Sequence, residues 1–193
     1  QGVNSIINSA SPSTSYDWGE YISRFNQPMV SHEIGQWCVY PNFEEMAKYT
    51  GPYKAKNFEI FKERLEKNGM GDLGDDFLIA SGKLQTLCYK ADIEAALRTP
   101  GFGGFQLLGL NDFPGQGTAL VGALDPFWED KGYTSAEEYR RFCSELVPLV
   151  RMDKMIYLSD ETFKADVEVA NFGTEIKDAG ISWTIKDASG KVL

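Results

Sequence analysis

Apolar positions in the first hundred residues recur mainly with helical period, broken by short extended runs. Trp18, Tyr21, Ile22 and Phe25 fall at i, i+3, i+4 and i+7, and Thr14 with Asp17 has capping-box spacing, so a helix is predicted from Thr14. Asn26 and Pro28 stop it, and Met29-Val30 opens a short strand. This helix-then-strand step is the repeating unit of α/β domains. Asn42 with Glu45 opens a short helix that Gly51-Pro52 breaks. A further helix starts at Asn57, with Phe58, Phe61 and Leu65 on one face and Asn68-Gly69 as its stop. The longest helix is expected over about 75–97, with the stripe Phe77, Ala80, Leu84, Leu87, Cys88, Ala91 and Ala95.

After the turn Thr99-Pro100-Gly101 comes "FGGFQLLGL", residues 102–110, a near-continuous apolar run that suits a strand covered on both faces. A glycine-rich loop follows at Pro114-Gly115-Gln116-Gly117, and Ser135 with Glu138 caps a short helix carrying Tyr139 and Phe142. Beyond Pro148 the period becomes two. Phe163, Ala165, Val167 and Val169 alternate with Lys164, Asp166 and Glu168, and Ile181, Trp183 and Ile185 repeat the pattern after a turn at Asn171-Phe172-Gly173. A half-buried antiparallel sheet is the expectation, with a third strand starting at Lys191-Val192. The chain thus divides into an incomplete α/β domain over 1–147, with a helical insert at about 42–100, and the first strands of a separate β domain over 148–193. Both units read as parts of larger ones, since an isolated hairpin is only marginally stable.

Composition narrows the partners. The chain has 193 residues, 42% of them hydrophobic, and a net charge of −9. That balance supports a buried core and disfavours nucleic acid or an anionic membrane, both of which need a basic footprint. No apolar run reaches the ~20 residues of a membrane span, so no membrane insertion is expected, and no signal-peptide pattern opens the chain. Cys38, Cys88 and Cys143 are odd in number and widely spaced, which suits small buried thiols rather than a disulfide framework, and they set no compartment.

The candidate chemistry centres on "PMVSHEIGQ", residues 28–36, which holds the only histidine. A zinc site of the His-Glu-x-x-His type needs a second imidazole one turn on, and Gln36 stands there, so no metal is expected. The loop "PGQGTALVG" lacks the Lys-Ser/Thr pair of a phosphate loop, and no cofactor is expected. Glu33 ends the short strand and is followed by Gly35, where backbone can approach closely. A carboxylate at the C-terminal end of a parallel strand is where α/β barrels carry their chemistry, although a salt-bridged or exposed glutamate fits the same pattern. His32 alternates to the other side of the strand, as a core or rim histidine. Trp37 and Tyr40 suit sugar-stacking platforms and core packing equally.

The segment "PMVSHEIG" has the form Pro-x-x-x-x-Glu-x-Gly and resembles the seventh-strand motif of family 2 glycoside hydrolases, the group of β-galactosidases, β-glucuronidases and β-mannosidases. "GFGGFQLLGLNDF" resembles the eighth strand of that family, and "DFPGQGTALVGALDPF" with the β-rich tail is similar to family 2-like proteins of polysaccharide-degrading bacteria. The resemblance implies the last strands and helices of a (β/α)8 barrel followed by an incomplete antiparallel β-sandwich. It makes Glu33 the counterpart of the nucleophile of a retaining exo-glycosidase acting on terminal sugars of a polysaccharide or oligosaccharide. His32, Trp37, Asn111 and Asp112 would lie at the substrate site. The second carboxyl of a retaining mechanism belongs on a fourth barrel strand, after an Asn, which is not found here. The rest of a parent polypeptide would therefore supply the acid/base, the 193-residue chain alone would be inactive, and the setting would be periplasmic or secreted. The sequence departs from the family at Leu107, where a tryptophan often floors the sugar site, and in the length of the 42–100 insert. A non-catalytic carbohydrate-binding or scaffold protein of the same fold is the alternative, and a related barrel family would keep Glu33 and change the sugar.

Overall fold

The computed structural model describes Ile7 and residues 10–193, so the start of the first predicted domain, residues 1–6 and 8–9, lies outside the described residues. Two parallel strands organise the first two thirds of the chain. β1 (Met29–Ile34) pairs with β2 (Phe102–Leu107), Met29 opposite Phe102, Ser31 opposite Phe105 and Ile34 opposite Leu107. Parallel neighbours need a long crossover, and this one contains the α-helices Lys56–Lys67 and Gly74–Arg98. With the four-residue helix Gly19–Ile22 as α1, these are α2 and α3, and Ala136–Arg140 is α4.

α3 covers one face of the β1–β2 pair. Its Ala95 and Ala96 cluster with Trp18, Ile34, Phe102, Phe105 and Leu107, and its Tyr89, Ile93 and Leu97 cluster with Phe105, Leu107 and Phe142. Among the described residues the other face is left bare: Val30 is 51% exposed, and His32 and Gln106 are exposed beside it. The strand at 102–110 is therefore shorter than expected and covered on one face only. The long helix falls where its period puts it, but its buried face differs. Leu84 and Leu87 of the expected stripe are exposed, while Leu78, Gly82, Gln85, Tyr89 and Ile93 are buried. Gly82 is buried because Tyr133 lies against it, a Cβ there landing 2.1 Å from Tyr133 Cγ.

The expected helix from Thr14 shrinks to α1. Thr14 does not cap it: its N–H donates to Met152 O (2.9 Å) and its Oγ1 to Val150 O (2.6 Å), a strand-like tie that outcompetes the local cap. The short helix after Asn42 is a 3-10 turn, Phe43–Lys48, with Asn42 Oδ1 accepting from Glu44 N. α2 stops at Asn68 and Gly69, whose φ is +72°, and Ser135 Oγ accepts from Glu138 N to start α4, both as the sequence indicates.

β3 (Leu146–Arg151) and β4 (Asp166–Asn171) form a separate antiparallel pair. Val147 and Leu149 are 0% and 2% exposed and pack with Ala170 and Leu97, so β3 joins the C-terminal end of α3. The predicted domain boundary at 147/148 falls inside this strand. Arg151 adds ties to Asp17 (2.9 Å), Glu168 (2.5 Å) and the Arg98 carbonyl (3.1 Å). The alternation at Ile181, Trp183 and Ile185 does not form a strand: Trp183 is 70% exposed, and the described pairing there is one bridge, Lys186 to Val192. Alternation marks which side chains share a face, but a strand also requires a neighbour to complete its ladder. Among the described residues the architecture is mixed α and β with two two-stranded sheets.

Candidate functional site

The C-terminal end of β1 is irregular, and the irregularity shapes the site. Glu33 adopts φ +57°, uncommon for a residue with a Cβ, and the β1–β2 register shifts between Ser31 and Ile34. Strict alternation is lost there, so His32 and Glu33 do not point to opposite sides as the period predicts. His32 Nε2 lies 3.5 Å from Glu33 Oε1, and both side chains reach solvent. Gln36 Nε2 donates to Glu33 Oε2 (3.0 Å), which occupies the second carboxylate oxygen. On β2, Gln106 Oε1 is 2.9 Å from His32 Nδ1. Across 74 residues of sequence, the two strand ends thus form one polar chain, Gln106–His32–Glu33–Gln36.

Gly35 fixes how the chain leaves this rim. Its φ is +77°, and a Cβ there would lie 2.1 Å from Tyr89 Cε1. Tyr89 is 1% exposed and donates its hydroxyl to Val121 O (2.7 Å), which pins α3 beneath the loop after β2. The close backbone approach expected at this glycine is the approach of a buried tyrosine.

The remaining predicted residues separate. Trp37 is half-buried, its carbonyl accepts from Gln85 Nε2 (2.5 Å), and its indole nitrogen has no hydrogen-bond partner among the described residues. Tyr40 meets Phe43, Phe61 and Phe77 edge-on at 5.4–6.0 Å, on the wall of a groove of about 580 Å³. Asn111 is half-buried and donates to its neighbour's carbonyl, Asp112 O, at 3.1 Å. Asp112 lies buried against a lysine. It is 1% exposed, pairs with Lys131 Nζ at 2.6 Å and accepts from Gly122 N at 2.8 Å. An apolar-run boundary in sequence places Asp112 at a strand end but does not reveal that a lysine 19 positions on will bury it.

That ion pair is the centre of a larger polar cluster. Lys131 also donates to Gly122 O (2.9 Å). The 3-10 turn contributes Lys48, which reaches Asp125 Oδ2 (2.5 Å) and Glu129 Oε2 (2.8 Å), and Glu45, which is 1% exposed. Burial pushes the Glu45 carboxyl up to about 7, with Lys131 and Lys48 pulling it down and Asp112 and Asp125 pushing it further up. Burial likewise pushes Asp112 up and Lys131 down, each against the attraction of the other. None of Gln36, Gln106, Glu45 or Lys131 is singled out by a sequence motif as a site residue. The one available signal is that Gln106 is polar within an apolar strand.

No cluster of three His, Cys, Asp or Glu side chains suited to a metal ion occurs among the described residues, and no described helix is long and apolar enough to cross a membrane. Residues 161–193, which include β4, match a family model described as Domain of unknown function (DUF8488). No curated protein matches the chain.

Proposed function

We propose that the β1–β2 rim is part of the sugar site of a retaining exo-glycosidase, with Glu33 as nucleophile. The supporting observation is the carboxylate itself: it stands at the C-terminal end of a parallel strand, open to solvent, with one oxygen held by Gln36 and the other facing His32. A nucleophile must keep one lone pair aimed at the anomeric carbon, and the Gln36 amide that donates to the other oxygen restricts its rotation. In this reading β1 and β2 are the last two strands of a (β/α)8 barrel, whose bare face with Val30 and Gln106 would be the barrel interior. β3 and β4 begin a β-sandwich. Asp112, committed to Lys131, does not serve as the second carboxyl, so the acid/base would come from another segment of a longer polypeptide.

The same commitment of Asp112 favours the second reading, a carbohydrate-binding protein that keeps the fold without the chemistry. One experiment separates the two. In a polypeptide that includes upstream barrel segments, Glu33→Gln should lower aryl-glycoside turnover on the order of 10³-fold or more. Turnover within tenfold of wild type refutes the nucleophile, and oligosaccharide binding with no turnover in either form establishes the binding protein. The 193-residue chain by itself should hydrolyse no aryl glycoside.

A further inference from the structure

The polar cluster beneath the rim joins the two loops that follow the paired strands. The loop after β1 brings the 43–48 turn, and the loop after β2 brings Asp112, Asp125, Glu129 and Lys131. Lys48 is a conventional anchor, since its ammonium meets two carboxylates at 2.5 and 2.8 Å. Glu45 is different. It enters from the same turn, is 1% exposed, and its Oε2 has no hydrogen-bond partner among the described residues. The groups facing it are Lys48 and Tyr49 from its own segment, and Asp112, Asp125 and Lys131 from the opposite loop. Among Glu45, Asp112, Asp125 and Glu129 there are four acids to the two bases Lys48 and Lys131, so ionised Glu45 adds to an existing excess of negative charge. An unpartnered buried carboxylate carries its desolvation cost in full, whereas a neutral carboxyl carries little of it.

We propose that Glu45 is the proton-sensitive element of a clamp between the loops after β1 and β2: neutral, it lets the 43–48 turn seat on the 111–131 loop, and ionised, it loosens that seat. This is independent of the glycosidase reading, although the clamped loops lead from the strand ends that carry Glu33 and Gln106. The direction follows from proton linkage. With the seated value near 7 and an ordinary value of 4.5 when the turn is open, the seated state binds more protons between those limits. Seating is therefore fully favoured below about 4.5 and is lost as pH rises through about 7.

Hydrogen exchange on the 193-residue chain at pH 5 and pH 8, corrected for intrinsic rates, tests this. Opening of the amides in 43–49 and 122–131 should increase about 70-fold over that interval, from the two titration values and linkage. In Glu45→Gln the increase should fall below about threefold, since the amide does not ionise. An increase in Glu45→Gln equal to wild type overturns the proposal. A second measurement needs no variant: the ¹³C carboxyl resonance of Glu45 should titrate well above 4.5, and an ordinary midpoint overturns the proposal too. Titration near 7 without any change in exchange of these amides would equally refute the clamp.

Discussion

Replacing Gly35 by alanine tests the packing on which the rim rests. Two costs are expected. The backbone has φ +77°, where a Cβ meets the following carbonyl, at about 1–2 kcal/mol. The new methyl carbon would also sit 2.1 and 2.3 Å from Tyr89 Cε1 and Cδ1, well inside van der Waals contact. Tyr89 cannot swing aside cheaply, because it is 1% exposed and its hydroxyl is bonded to Val121 O at 2.7 Å. Overpacking of this kind costs about 1–3 kcal/mol. The sum centres on about 3.5 kcal/mol, which for a chain of this size lowers Tm by roughly 7–14 °C. Urea unfolding followed by tryptophan fluorescence gives the free energy, and a double-mutant cycle separates the two terms. In a Tyr89→Ala background the steric part should vanish, leaving about 1–2 kcal/mol for the backbone. A loss below ~1 kcal/mol in the wild-type background, or the same loss in both, would show that Tyr89 does not set the requirement for glycine.

Other outcomes follow from the same geometry. Lys131→Met leaves Asp112 buried without its partner and should cost about 3–5 kcal/mol at pH 7; the deficit should shrink on acidification as Asp112 takes up a proton, and adding Asp112→Asn should recover part of it. Leu149→Ala, 2% exposed beside Leu97, should cost about 2–4 kcal/mol and shift the unfolding of α3 and β3 together; separate transitions in exchange would place β3 in an independent unit. His32→Ala and Gln106→Ala remove exposed contacts and should each change stability by less than ~0.5 kcal/mol, so a larger loss in thermal unfolding would mean that the rim is structural.

Much of the local structure was legible in advance, for reasons that act within a few residues. Asn68-Gly69 ends α2 because glycine accepts φ +72° without a Cβ clash, and Ser135 begins α4 because its hydroxyl meets the Glu138 N–H. The Thr14 cap failed for the complementary reason. Its hydroxyl had a second acceptor, Val150 O, 136 residues away, and nothing within the first helix reveals it.

Short-range signals specify α2, α3, β1 and β2, and they put a glutamate two residues before a glycine at the end of β1. Periodicity, capping and turn residues carry that information, because each depends on neighbours along the chain. Packing chose which face of α3 is buried, since Leu84 and Leu87 match its period as well as Leu78 and Ile93 do, and only the position of the strands distinguishes them. It also decided the left-handed bend at Glu33, the contact of His32 with Gln106, and the burial of Asp112 against Lys131. These features depend on distant groups brought within a few ångströms, where hydrogen bonding and desolvation act with full strength. The chemistry suggested by a His-Glu pair in sequence becomes, in three dimensions, an exposed carboxylate held between a histidine and a glutamine.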